Sequence, residues 1–245
     1  MPNYADSVKR SLEEKFGDRP SILDFIPRPL HSAIRANVST ADLLPYFQDA
    51  ANSLHGSKGD TMGELLIPPG RYSLSGPVRL HSYTRLVGSG ELYLLDEADA
   101  DVVTNYDQAT GNVRIEVHGI TVNGNGVNND GFASRSLYFK NVQGGVISGV
   151  QIPSSRNHNI WLDDGCKDWK LLNNVCENPQ FGSCILIGNT PPEAANYKQQ
   201  TVLVEVATVD GGGAESLASL NPIRELYIYG RSLDSDGIAA GVAYA

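Results

Sequence analysis

The chain has 245 residues, 41% of them hydrophobic, with 25 Gly and 13 Pro, which suits one sizeable core in a turn-rich β protein. A formal net charge of -9 argues against a general binder of nucleic acid or anionic membrane, which needs a basic footprint, while leaving room for a local basic patch. No apolar run is long enough to span a bilayer, and the opening MPNYADSVKRSLEEK lacks the apolar stretch of an export signal.

Residues 6–16 (DSVKRSLEEKF) pattern as a short amphipathic helix with Val8, Leu12 and Phe16 on one side. Such a helix is marginal alone, so its stripe wants a partner, either the rest of the chain or a copy of itself. Pro20, Pro27 and Pro29 break the following stretch, which reads as an extended connection over 17–38 with one short strand at 21–26. A second helix is predicted over 42–54: Asp42 is the N-cap, Pro45 is tolerable in the first turn, and Leu43, Phe47, Ala50, Ala51 and Leu54 form the apolar face, with Gly56 as the stop. GELLIPPGRYSLSGPVRLHSYTRLVGSG (63–90) then alternates strands with Pro and Gly turns, residues 92–95 continue the pattern, and 96–111 reads as an acidic loop.

Over 113–175 short β-branched runs recur with Gly, Asn and Asp at the breaks, and no gap is long enough for a crossover helix. Taking Val122, Ile152, Val175, Val206 and Ile228 as equivalent gives steps of roughly 22–23 residues, lengthened twice to roughly 30, as irregular solenoid turns require. Stacked turns bury a continuous column of Val, Ile and Leu that no single turn could bury. The prediction is an all-β right-handed parallel β-helix, with 1–38 as N-terminal helix and linker and 39–245 as the coil. The helix at 42–54 would close the open strand edge of the first turn. Beyond Cys184 the pattern loosens, and the tail SLDSDGIAAGVAYA offers no polar cap, which predicts truncation or capping through an oligomer. Cys166, Cys176 and Cys184 cannot all pair and lack the spaced pairs of a zinc site, so they read as buried small hydrophobes.

The stretch ADSVKRSLEEKFGDRPSILDFIP, then HSAIRANVSTADLLPYFQDAAN, then ELLIPPGRYSLSGPVRLHSYTRLVGSG resembles the entry segment of bacteriophage tailspike proteins of the pectate-lyase-like superfamily. There a short helix and a DFG-type strand lead to a capping helix, a PxGxY turn and the first coil. Here IPRPLHSAIRANVSTAD replaces the usual Gly- and Asp-rich stretch after the DF pair. The resemblance implies a virion tail protein, made in the host cytoplasm, acting on a bacterial surface polysaccharide as a homotrimer beside other tail proteins and without a cofactor. It also implies a longer coil and a C-terminal trimerisation region, for both of which this chain has too few residues. Two alternatives stay open: a non-catalytic adhesin or structural component of the tail, and a secreted polysaccharide lyase or mannuronan epimerase.

Candidate chemistry gathers at the corners. Aligning 136–139, 159–162 and 183–186 in one sheet stacks Lys140–Asn141, Asp163–Asp164 and Gly188–Asn189. Asp163 and Asp164 resemble a catalytic carboxylate pair, but neighbours in extended chain point to opposite sides, so a partner would come from Asp130 or Glu177. The competing reading is that they pair with Lys140 or shape the corner. His158, two residues after Arg156, could serve as a general base or steady a sugar carboxylate, or it could belong to an ordinary polar corner with Asn157 and Asn159. Trp161, Tyr138 and Tyr93 could stack on sugars, whereas Trp169 reads as core. Asn123, Asn125, Asn128 and Asn129 read as corner amides. Oxygen ligands for calcium exist in Asp163, Asp164 and Asp130, but no spaced acidic loop supports a metal.

Overall fold

The computed structural model describes residues 19–54, 60–131 and 133–187, together with the backbone of strands at 200–209, 217–219 and 223–232. Among them every strand pairing is parallel. The first three strands, β1 (Gly63–Ile67), β2 (Arg71–Leu74) and β3 (Val78–Leu80), form one turn of a coil and found its three faces. On the first face β4 (Thr84–Gly88) pairs with β1, and the column continues through β8 (Ile115–His118), β12 (Val146–Ser148) and β15 (Trp169–Cys176). The second face runs β2, β5 (Glu91–Leu94), β9 (Thr121–Asn123), β13 (Gln151–Ile152) and the end of β15, which joins both faces into one eleven-stranded sheet. The third is a six-stranded sheet of β3, β6 (Val103–Asn105), β10 (Leu137–Phe139), β14 (Ile160–Leu162), β16 (Ile185–Ile187) and β18 (Leu217–Ser219). A small pair, β7 (Asn112–Val113) with β11 (Val142–Gln143), lines the corner after it.

Strand alternation puts one residue class inside. Leu65, Leu86, Val117, Ile147 and Leu171 stack on the first face, Tyr72, Leu92, Val122, Ile152 and Cys176 on the second, and Val78, Val103, Leu137, Ile160 and Ile185 on the third, all essentially inaccessible. Burying each aliphatic chain is worth about 1.5–3 kcal/mol, so the coil is held by its columns. The sharp bend between the first two faces needs left-handed backbone, supplied by Gly119 (φ 70), Gly149 (φ 64) and Asn173 (φ 53) on successive turns. Beside Asn173, the buried Asn174 amide donates to Ile147 O and accepts from Val150 N, so a polar side chain satisfies the turn below.

The open first turn is blocked strand by strand. Leu66 N donates to Pro20 O beside β1, Leu43 N to Ser73 O beside β2, and Gln48 both accepts from Arg79 N and donates to Arg79 O beside β3. Gln48 lies on α2 (Leu44–Leu54), the expected second helix; Asp42 Oδ1 accepts from Leu44 N, and the buried Leu43, Phe47, Ala50 and Ala51 face the coil. The short strand expected at 21–26 is instead a 3-10 turn, Ile22–Asp24, because Ser21 and Asp24 cap each other reciprocally. The extended connection likewise contains a 3-10 turn, Arg28–Leu30, and a short helix α1 (His31–Arg35).

Three further expectations are corrected. The acidic loop at 96–111 contains β6, and its Val103 and the preceding Val102 are fully buried. Ile152 lies opposite Cys176, not Val175, while Val206 and Ile228 face Asn174 and Val204; a one-residue slip exchanges inner and outer side chains, and the inward residue here is Cys176. Ile160 pairs with Ile185, so the third strand of that alignment sits one residue later than 183–186. The helix at 6–16, Gly56, the Gly188–Asn189 corner and the tail lie outside the described residues.

Candidate functional site

The outer face of the six-stranded sheet collects most of the candidate residues. In β14, Ile160 and Leu162 enter the core and Trp161 points outward; Tyr138 pairs with it from β10 and Leu186 flanks it from β16. The two rings meet edge to face with centroids 5.4 Å apart. They are not open platforms, for Tyr138 is 8% exposed and Trp161 9%. Arg135 lies over the Tyr138 ring at 3.6 Å and over Trp161 at 4.9 Å. Its guanidinium is held by a two-pronged bond to Asp101, Nε to Oδ1 at 2.6 Å and Nη2 to Oδ2 at 2.9 Å. Burial raises the Asp101 pKa although this arginine opposes it.

On the side where the chain leaves the sheet, register sets one row across four turns: His81, Tyr106, Lys140 and Asp163 follow β3, β6, β10 and β14 respectively. The His81 and Tyr106 rings stack at 4.1 Å, and Tyr106 is 54% exposed. Tyr138 Oη donates to Asp163 Oδ2 at 2.6 Å, Lys140 Nζ stands 3.8 Å from the same oxygen, and Asp164 N donates to Oδ1. Asp163 thus pairs with Lys140 and shapes its corner together. Behind the row, Asn105 accepts from Lys140 N and donates to Lys140 O, fixing the bend from inside.

On the opposite side of the same sheet, where the chain enters it, Ser183 N donates to His158 Nδ1 at 2.9 Å and the imidazole meets Trp161 edge-on at 5.1 Å. Burial, reinforced by Arg135, pulls the His158 pKa down to about 4, so the ring is neutral at pH 7 and carries its proton on Nε2. In that tautomer Nδ1 is occupied by Ser183 N and Nε2 can donate a hydrogen bond. Asp130 is placed on this entry side too, 87% exposed and 3.1 Å from Arg156, whose guanidinium covers the exposed Phe181 ring. Glu177 directly follows Cys176 at the end of β15, where its backbone bonds the turn below. The width of the sheet therefore separates Asp163 from both Asp130 and Glu177.

Other sequence candidates have structural places. Trp169 is core, with Nε1 donating to Val142 O. Tyr93 lies on the second face under Arg71. Asn125 and Asn129 donate to the carbonyls of Leu94 and Leu95, as corner amides do. All three cysteines are buried, which pushes the Cys166 thiol up to about 12. Among the described residues no cluster of three or more His, Cys, Asp or Glu could hold a metal ion. Asp101, Arg135 and Tyr106 were not legible as site residues: the first and last flank β6 in the supposed acidic loop, and nothing local links Asp101 to Arg135.

No protein-family model matches the chain, and no curated protein matches it in sequence. Solved structures do match in fold. A mutant tailspike protein of E. coli bacteriophage HK620, in complex with a pentasaccharide, aligns at a TM-score of 0.54 and 14% identity over 94% of this chain and 48% of its own. A second mutant of that tailspike gives the same values. A candidate glycosyl hydrolase from Parabacteroides merdae aligns at 0.56 and 14% identity, over 92% of this chain and 100% of its own. The chain spans about half the length of the tailspike chains it matches. Its fold is the tailspike-like right-handed parallel β-helix.

Proposed function

We propose that this chain is a tailspike-like component of a virion tail that recognises a bacterial surface polysaccharide along the outer face of the six-stranded sheet. The observation that carries this reading is the row His81, Tyr106, Lys140, Asp163. It sets an exposed aromatic ring, a cation and hydrogen-bonding groups on successive rungs about 4.8 Å apart, a repeating surface for a repeating ligand. Tyr106 offers the accessible ring, already braced by His81, so little side-chain entropy is lost on stacking a sugar. The covered Tyr138 and Trp161, clamped by Arg135 and Asp101, make the sheet beneath rigid. The pentasaccharide held by the similarly folded HK620 tailspike supports the same class of ligand.

The test is calorimetric titration with capsular polysaccharide and lipopolysaccharide preparations. Saturable binding to one of them is expected, weakened about tenfold by Tyr106→Ala, the worth of one aromatic stacking contact. Unchanged affinity in that variant, or no binding to any preparation, overturns the reading. Cleavage of the bound glycan is a second reading, favoured by the Asp163 carboxylate, which Tyr138 Oη and Lys140 Nζ both approach on this face. It requires new reducing ends that Asp163→Asn abolishes, or unsaturated-uronate absorbance if the bond breaks by elimination. We also assign the chain to a homotrimer joined through residues 6–16; a monomer by light scattering, unchanged on deleting residues 1–20, counts against that assembly.

A further inference from the structure

Next to the row, where the chain turns from the six-stranded sheet toward the first face, lies an open groove of about 510 Å³. Three successive turns line it, through Thr110–Val113, Asn141 to Gln143, and Gly165 to Lys167. Its floor is the β7–β11 pair, extended by a bridge from Gln143 to Lys167. Gly111 and Gly165 both have positive φ, and a Cβ on either would run into Asn141, at 2.3 Å from its carbonyl oxygen and 1.9 Å from Oδ1 respectively. The concavity therefore requires glycine on the turns either side of Asn141.

The polar groups of the groove fall into two sets. Asn112 and Asn141 are committed to the wall: Asn112 Oδ1 accepts from Asn105 Nδ2 and Asp107 N, and Asn141 Nδ2 donates to Gln108 O. The exposed Gln143 amide and Lys167 ammonium make no side-chain hydrogen bond or ion pair among the described residues. Val113, 37% exposed, adds a small apolar surface. Among the described residues no aromatic ring lines the groove, so stacking does not drive binding there, and Lys167 is the one cationic lining group. A volume near 500 Å³ fits a small ligand rather than a macromolecule, and two rung spacings of about 4.8 Å match one or two pyranose rings.

We propose that this corner groove is a glycan subsite selective for an acidic sugar, with Lys167 pairing the sugar carboxylate, Gln143 bonding ring hydroxyls and Val113 packing on the apolar ring face. The assignment rests on the surface-polysaccharide reading above and deepens it. A neutral sugar would leave the ammonium in water with nothing gained, whereas a carboxylate forms a charge-assisted bond. The carboxylates of Asp164 and Asp168, on either side of Lys167 in sequence, oppose an anion, so the preference should be moderate, about tenfold.

The probes are a glucuronate-containing tetrasaccharide and its carboxyl-reduced counterpart, titrated against the full chain. The unmodified protein should bind the acidic form about tenfold more tightly; Lys167→Gln should erase that preference without weakening the neutral form, Lys167→Arg should keep it, and Gln143→Ala should weaken both. Lys167 is exposed, so these substitutions leave the core untouched. Equal binding of the two probes, or a preference that survives Lys167→Gln, overturns the subsite. If Tyr106-dependent polysaccharide binding persists in that case, the broader reading stands. Failure of every saccharide and polysaccharide to bind removes both.

Discussion

His158 accepts a hydrogen bond from Ser183 N and sits among Trp161 and Arg135, and this environment has a thermodynamic consequence. Burial, with the Arg135 charge, lowers its pKa from 6.5 to about 4. Between those values the unfolded chain binds a proton that the folded chain refuses, so stability rises with pH across this window. It is fully present above pH 6.5 and is lost as the pH falls toward 4. Allowing for solvent screening at a group that is not fully buried, the loss is about 2 kcal/mol. Urea denaturation from pH 7 to 4 should show that decline in the unmodified protein and a flatter profile in His158→Gln. Parallel profiles for the two proteins would mean that the imidazole titrates freely.

At the scale of elements, α2 and the residues before it do for the first turn what each later turn receives from its predecessor. Phe47 buries its ring against Tyr72, with centroids 5.6 Å apart, while Gln48 occupies both backbone groups of Arg79. Phe47→Ala should therefore cost about 3–5 kcal/mol in denaturant unfolding. Gln48→Ala should cost only about 1 kcal/mol but raise self-association, seen as a growing hydrodynamic radius, because it frees part of the β3 edge. If both variants stay monodisperse and equally stable, the helix is not what closes the coil. This helix was legible because its apolar spacing, its Asp42 cap and its Pro45 agree. By contrast, β6 was not: a strand of three residues, Val103–Asn105, is too short to show alternation. The slip at Cys176 has a related cause, since β15 runs straight through the bend that Gly119 and Gly149 mark in earlier turns, with Asn173 in the left-handed region. The Asp101–Arg135 clamp joins residues that only the coil's register brings together, so local pattern carries no trace of it.

On the scale of the whole molecule, two electrostatic effects of opposite sign meet in the proposed function. The net charge of -9 repels an acidic polysaccharide at long range, whereas Lys140 and Lys167 attract one at contact. Salt screens the first over a Debye length of about 30 Å at 0.01 M and about 8 Å at 0.15 M, and it weakens the exposed contacts as well. The two act on different rates: long-range repulsion sets the speed of encounter, and contact pairs set the lifetime of the complex. For an acidic capsule, raising the salt from about 0.01 M to 0.15 M should thus increase the association rate and also the dissociation rate. Lys167→Gln should raise dissociation at low salt and leave the direction of the association trend unchanged. Surface plasmon resonance on immobilised polysaccharide reads both rates separately. An association rate that falls with salt would show that a local basic surface, and not the acidic whole, governs the approach to the glycan.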